Sequence, residues 1–255
     1  MNLSQSQIDK MYIPANLCLI RLPQGYSNML HGWYEHKLGD TSIKIDTSFN
    51  PAVHAPRYGE LIKNPEKLIY EKGNQDTMGW KTEIDTLPKD VVWFDYLAGL
   101  TSLGKLANPT LEGDVPKWFK VDDDIYILIR YEALIFAFRE NKDGDVGFFG
   151  TTGNIICLNG NVIMQPIVRE RKSNLILPDN LKRKESNLEC TVVYVGKANE
   201  EYLDGTQDSN WMQPGDNVVL KNYKIRLEND LANELAPGLV FMQQKYVWAQ
   251  VVNSV

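Results

Sequence analysis

The sequence is poor in cysteine and histidine, with three of each among its 255 residues. Cys18, Cys157 and Cys190 are too far apart for a CxxC metal or redox motif, and an odd number of cysteines does not suit a disulfide framework. His31 and His36 are five residues apart, which is not the HxxxH spacing of a helical metal site. We therefore expect a protein of a reducing compartment that has no metal site.

Long apolar runs and an excess of positive charge are also missing. The longest apolar stretch, residues 125–138, is interrupted by Arg130 and Glu132 and is shorter than the ~20 residues of a membrane-spanning helix. The 27 Lys and Arg residues are outnumbered by 33 Asp and Glu residues, which gives a net charge of −6. This balance argues against a nucleic-acid or membrane partner. The first residues do not resemble a signal peptide, so we expect a cytoplasmic protein.

The residues that are present are typical of an all-β protein. Short runs rich in Val, Ile, Tyr, Trp and Phe alternate with clusters of Gly, Pro, Asn and Asp, and this pattern predicts strands separated by turns. Asn159-Gly160 predicts a tight hairpin turn between two such runs. Helical spacing is limited to the N-terminal SQSQIDKMY and to residues 228–235. Because the chain has neither βαβ alternation nor a GxGxxG motif, we do not expect a dinucleotide-binding fold.

An internal repeat predicts two domains. The run LPKDVVWF, which begins at Leu87, resembles MQPGDNVVL, which begins at Met212. The run IRYEALIFA (129–137) aligns without gaps with FMQQKYVWA (241–249), and each half opens with an apolar strand and a proline. The Gly- and Asp-rich segment 140–153 is the natural boundary. We therefore expect related domains at residues 10–142 and 152–255.

Five elements of the second half occur in an order that points to a known family. They are the strand VIMQPIVRERK, the loop SNLILPDNLKRKES, the strand CTVVYVGKANE, the turn and strand MQPGDNVVL, and the closing hairpin LVFMQQKYVWAQVV. Together they span nearly all of residues 155–252 and resemble the GroES-type, ten-kilodalton co-chaperonin family. The first half matches less well, because Lys89 replaces the Gly of the Gly-Asp turn and insertions lie at 64–86 and 98–121. Two such domains in one chain resemble the tandem co-chaperonins of chloroplasts and the divergent co-chaperonins of bacteriophages.

The resemblance implies two tandem GroES-like, partly open β-barrels and a homo-oligomer that caps an ATP-driven, GroEL-like chaperonin ring. In this family a mobile loop, here residues 170–187, inserts an aliphatic tripeptide into an apolar groove of the chaperonin. By position the tripeptide is Leu175, Ile176 and Leu177, and Ile43 and Ile45 hold the corresponding place in the first half. The chaperonin supplies the catalysis, so the resemblance implies no catalytic, cofactor or metal site in this chain.

The residues alone leave alternatives open. Leu175 to Leu177 also suit a buried strand covered on both faces, and Ile43 and Ile45 suit a half-buried strand. A structural or adaptor protein, such as a component of a phage particle, could keep the fold without the lid activity, and the two insertions favour that interpretation. An enzyme with a GroES-like domain would need a dinucleotide domain and Cys/His zinc ligands, which are missing.

Overall fold

A computed structural model of the protein describes residues 4–23, 33–38, 41–46, 57–70, 82–103, 117–148, 150–170, 183–197, 212–220, 225–226 and 239–251. The all-β class predicted from the sequence is confirmed, because strands dominate these residues and helices are few and short. The chain divides into two compact units, Met1–Arg139 (unit 1) and Glu140–Val255 (unit 2).

Unit 1 has two helices and strands that pair in the order β6-β7-β1-β4-β5-β8. Its elements are α1 (Gln5–Lys10), β1 (Leu17–Arg21), β2 (Trp33–Leu38), β3 (Thr41–Asp46), β4 (Tyr58–Lys63), β5 (Val91–Phe94), α2 (Tyr96–Leu103), β6 (Trp118–Val121), β7 (Asp124–Arg130) and β8 (Leu134–Glu140). A one-turn 3-10 helix, Tyr131–Ala133, joins β7 to β8. Strands β2 and β3 pair with each other as a separate hairpin.

The central strands of unit 1 are continuous apolar runs because both of their faces are buried. Strand β7 buries Ile125, Tyr126 and Ile127 in succession. Successive side chains of a strand point to opposite faces, so this strand needs cover on both. Helix α1 supplies part of that cover, because the fully buried Ile8 packs in the same cluster as Tyr126. Lys63 fixes the end of α1 by donating from Nζ to the carbonyl oxygens of Asp9 (2.6 Å) and Met11 (3.1 Å).

Unit 2 has the strand pair β9–β10 and a sheet with the order β14-β15-β11-β12-β13-β16. Its strands are β9 (Val146–Phe148), β10 (Thr151–Cys157), β11 (Asn161–Glu170), β12 (Arg183–Val195), β13 (Asn217–Leu220), β14 (Ile225–Arg226), β15 (Val240–Gln243) and β16 (Val247–Val251). A 3-10 helix, Gln244–Tyr246, joins β15 to β16. Val162, Met164, Cys190 and Val218 are among the buried residues of its core.

The two units share one strand order, in which β6, β7, β1, β4, β5 and β8 correspond to β14, β15, β11, β12, β13 and β16. The register agrees in detail. Strand β1 shifts against β4 by one residue just before the pair Ile20–Leu61, and β11 shifts against β12 just before the pair Met164–Val192. A shared irregularity of this kind favours duplication of one ancestral unit over a chance likeness.

The closing hairpin expected in each half is not formed, because β7 does not pair with β8 and β15 does not pair with β16. The turns that join these strands correspond one residue away from the predicted alignment. Tyr131 begins the 3-10 turn of unit 1, and its N–H donates to Asn16 O (2.7 Å). Gln244 begins the turn of unit 2, and its N–H donates to Gly160 O (2.8 Å). Tyr131 therefore corresponds to Gln244, whereas the gapless alignment pairs it with Gln243. The register shifts in β5–β8 and in β13–β16 fall at equivalent places in the two units and agree with the offset that the turns give.

The Asn159-Gly160 turn is confirmed, but the hairpin expected around it is not. Both residues have a positive φ, 54° and 67°, as a type I′ turn requires. The flanking strands do not pair with each other, because β10 pairs with β9 while β11 pairs with β12 and β15. The predicted boundary segment 140–153 contains β9 and the start of β10, and the predicted insertion 98–121 contains most of α2 and all of β6.

Candidate functional site

The predicted loop lies in the connection between β11 and β12. The ends of these two strands, on either side of the connection, form a two-stranded ribbon. We use "ribbon" for residues 167–170 of β11 and 183–188 of β12. Within the described residues, β15 pairs only with 161–164 of β11, and β13 pairs only with 189–191 of β12. The ribbon strands therefore have only each other as sheet neighbours in the part of the chain that the structure describes. Val168 and Leu188, at its foot, are 54% and 46% exposed.

The structure narrows the predicted loop 170–187 and does not describe its centre. Glu170 ends β11, and residues 183–187 belong to β12. Leu175, Ile176 and Leu177 lie outside the described residues, so their assignment to the partner-binding tripeptide stays a prediction. The strands on either side are paired up to Glu170 opposite Arg183, which brings the two ends of the segment 171–182 together.

Unit 1 has a hairpin in the corresponding connection, between β1 and β4. Ile43 and Ile45 both lie on β3, where they pair with His36 and Tyr34 of β2. The strand expected for these isoleucines is thus present, and a role for them in partner binding stays a prediction. Because β1 corresponds to β11 and β4 to β12, the β2–β3 hairpin is the topological counterpart of the segment 171–182.

Charged residues lie at both connections. In unit 1, Arg21 at the end of β1 forms ion pairs with Glu60 of β4 and with Asp124 of β7 (3.4 Å). These partners raise the pKa of the Arg21 guanidinium, chiefly through the hydrogen bond with Glu60. In the ribbon, the register sets Arg169 directly opposite Lys184.

Buried polar groups anchor the start of the insertion at residues 64–86. Asn16 is 5% exposed and has a φ of 65°. Its side-chain amide is both a donor to and an acceptor from the backbone of Ile69. Its Nδ2 donates to Ile69 O (3.0 Å), and its Oδ1 accepts from the Ile69 N–H (2.7 Å). The sequence does not mark Asn16, because Asn before a strand usually signals only a turn.

A second group of contacts anchors the end of the same insertion. The Asp85 N–H donates to the hydroxyl of Tyr131 (2.9 Å), and Arg139 donates from Nη2 to Asp85 O (2.8 Å). Arg139 also binds both carboxylate oxygens of the buried Asp90, at 3.0 and 2.8 Å. Burial raises the pKa of the Tyr131 hydroxyl to about 12. Together with Asn16, these residues fix both ends of the insertion on the sheet.

The three cysteines are free thiols in the interior rather than reactive groups. Cys18, Cys157 and Cys190 are all buried and form no disulfide. Burial raises the pKa of the Cys18 thiol far above its usual value and that of Cys157 to about 12, so neither is a thiolate near neutral pH. Among the described residues, no three His, Cys, Asp or Glu side chains are grouped as metal ligands would be.

Comparison with known proteins does not assign the chain to a family. Neither the protein-family models nor the curated proteins contain a match to it. In the part of the chain that the structure describes, no helix has the length and apolar character needed to cross a membrane.

Proposed function

We propose that the chain is a non-enzymatic co-chaperonin that forms a homo-oligomeric lid on a GroEL-like chaperonin ring. The observation that supports this most is the strand pairing on either side of the segment 171–182, which contains the aliphatic triplet. The triplet lies in a connection whose ends are held together by the ribbon, in the unit whose five sequence elements resemble the family. The duplicated strand order agrees with the tandem form of that resemblance.

The physical basis of the proposed contact is ordering on binding. The triplet consists of three aliphatic residues in a polar segment, and transferring apolar surface from water to an apolar groove is favourable. Ordering the segment costs conformational entropy, so one contact is weak and reversible. Repetition around a ring multiplies the weak contacts into useful avidity. Ile43 and Ile45 would supply a second chaperonin-binding segment, from unit 1.

The test is ATP-dependent complex formation with a bacterial chaperonin, measured by sedimentation velocity. We expect a complex with the native chain and its loss when Leu175, Ile176 and Leu177 are all replaced by Asn. The matched control replaces Ser173, Asn174 and Asn180 with Ala in the same segment and should leave the complex intact. A complex that survives the Asn variant would contradict the assigned contact, and no complex with the native chain would contradict the function.

A structural or adaptor role is the second candidate, and the anchored insertion of unit 1 favours it. Asn16, Tyr131 and Arg139 hold both ends of that insertion in part-buried hydrogen bonds, and ends fixed in this way suit a rigid contact surface. Limited trypsin digestion separates the two candidates. A co-chaperonin loop should be cut first between Arg171 and Lys182, whereas a structural strand there should resist as long as the folded core does.

A further inference from the structure

The two units differ in how far their first paired strands extend. In unit 1 the pairing of β1 with β4 ends at Arg21 opposite Glu60, which corresponds to Gln165 opposite Thr191 in unit 2. In unit 2 the pairing of β11 with β12 continues beyond that point to the end of β11. The ribbon is therefore an extension that β1 and β4 do not have in the described part of the chain.

A large bulge separates the ribbon from the sheet of unit 2. The ladder pairs Pro166 with Cys190, and its next pair is Val168 with Glu185. The single residue between these pairs in β11 therefore faces residues 186–189 of β12. Three of these four residues are surplus, because each residue of a regular antiparallel ladder has one partner opposite. A bulge interrupts the ladder and bends its strand.

The packing and the hydrogen bonding both change at this bulge. Pro166 has no backbone N–H to donate, and proline inside sheets is confined to edges, strand starts and bulges. Pro166 and Cys190 are buried, whereas Val168 and Leu188, on the far side of the bulge, are 54% and 46% exposed. Among the described residues, no third strand lies beside the ribbon, and two strands alone are marginally stable in water. Few buried contacts are typical of a segment that moves separately from the core.

We propose that the bulge at Pro166 is a hinge, at which the ribbon turns as one body relative to the sheet of unit 2. Residues 186–189 supply the backbone that absorbs the movement on β12, as the few residues of a hinge do. On β11, Pro166 withholds a ladder hydrogen bond at the same place. The inference rests on the proposed function only for the use of the hinge, which would change the direction of the segment 171–182 while the core of unit 2 stays fixed.

The test is the distribution of distances between two spin labels, measured by double electron–electron resonance on the full chain. The ribbon pair is Glu170→Cys, at the end of β11, and Gln213→Cys, an exposed turn residue before β13. The control pair, Lys197→Cys and Gln213→Cys, spans the sheet without crossing the bulge. The native thiols are buried and should not react with the label, which the chain without added cysteines checks. We expect a broad distribution for the ribbon pair and a narrow one for the control pair.

The decisive variant deletes residues 186–188, which sets Glu189 opposite Ile167 and makes the ladder regular without changing the pairs on either side. The distribution of the ribbon pair should then narrow to the width of the control pair. A matched variant deletes residues 179–181 of the same connection and keeps the bulge, so its ribbon distribution should stay broad. Pro166→Val restores the N–H donor without a deletion, should also narrow the distribution, and decides the matter if the deletion variant does not fold.

A narrow distribution for the ribbon pair in the native chain would overturn the hinge. So would a distribution that stays equally broad after the deletion of residues 186–188 and in Pro166→Val. Sedimentation of the native chain and Pro166→Val with the chaperonin and ATP separates this inference from the proposed function. A weaker complex with Pro166→Val would support the use of the hinge, and an equally strong one would contradict that use. If the native chain forms no complex, the proposed function fails, and the distance distributions still decide whether the bulge is a hinge.

Discussion

Lys89 and Gly215 occupy the same position in two corresponding turns, and both have a positive φ, 78° and 96°. The Lys89 N–H donates to Leu61 O (2.7 Å), and the Gly215 N–H donates to Val192 O (2.8 Å). Leu61 and Val192 are themselves corresponding residues of β4 and β12. The backbone of the Gly-Asp turn has therefore been kept in unit 1 although its glycine has been lost.

The aspartate after each of these residues closes the turn. Asp90 accepts a hydrogen bond from the Leu87 N–H, and Asp216 accepts one from the Gln213 N–H, both at 2.7 Å. This side-chain contact holds the chain in the turn whichever residue occupies the third position. Lys89 therefore bears a conformational cost that glycine would not.

Replacement of Lys89 by Gly should stabilise the protein by about 0.5–1 kcal/mol, because glycine adopts a positive φ without strain. The reverse change, Gly215→Ala, should cost about 1 kcal/mol. No atom lies within 4 Å of the added Cβ, so this cost is purely conformational. The free energy of unfolding in urea measures both effects. Lys142→Gly, at an exposed turn lysine without a positive φ, is the control and should not stabilise.

Local sequence patterns predicted most elements of the fold, and they missed elements that depend on long-range contacts. Local signals predicted the all-β class, most strands and helix α1, because residues of strands, turns and caps act on their immediate neighbours. They missed α2, whose sequence YLAGLTSL has no polar face and contains Gly99, a poor helix residue. Contact with β7 stabilises that helix, since Ser102 Oγ donates to Leu128 O (2.7 Å). Such long-range contacts leave no periodicity to detect.

Loss of the Tyr131 hydroxyl should destabilise unit 1. In Tyr131→Phe the Asp85 N–H loses the tyrosine hydroxyl as acceptor. Because this hydrogen bond is part-buried, we expect a cost of about 1 kcal/mol, the net contribution of a typical hydrogen bond. Urea denaturation should show this loss, and amide exchange at Asp85 should become faster. Tyr12→Phe is the matched control, because Tyr12 is largely exposed and its change should stay within about 0.5 kcal/mol. An equal effect of both variants would contradict the anchoring role of Tyr131.

Substitutions at Asn16 should separate two contributions to stability, namely the two hydrogen bonds to Ile69 and the positive φ of the turn. Asn16→Gly keeps the positive φ and loses two hydrogen bonds, which should cost about 1–3 kcal/mol. Asn16→Ala loses the same bonds and adds backbone strain, so it should cost about 1 kcal/mol more. Amide exchange at Ile69 should increase in both variants. If the Gly variant were as stable as the native chain, the two hydrogen bonds between Asn16 and Ile69 would contribute nothing to the free energy of unfolding.

One part of the candidate site could be predicted from the sequence, and another part could not. The segment around Leu175 to Leu177 stands out because three aliphatic residues lie among loop formers. The opposition of Arg169 and Lys184 could not be foreseen. It depends on a register shift between Pro166 and Val168 that sets Val168 opposite Glu185, and without this shift each basic residue would face a different partner. Pairing register across a bulge is a property of the folded sheet.

The buried thiols should make the protein less stable at alkaline pH. Burial raises the pKa of Cys18 and of Cys157 in the folded state, whereas the unfolded thiols titrate near their ordinary value of about 8.5. Below that value the contribution to stability is complete. It is lost as pH rises towards the folded pKa, about 12 for Cys157, at up to ~1.4 kcal/mol per pH unit for each thiol. Urea denaturation from pH 7 to pH 10.5 should therefore show a falling free energy of unfolding. A Cys18→Ala/Cys157→Ala variant should be less stable at pH 7 and show a flatter pH dependence, and an unchanged slope would contradict the assignment.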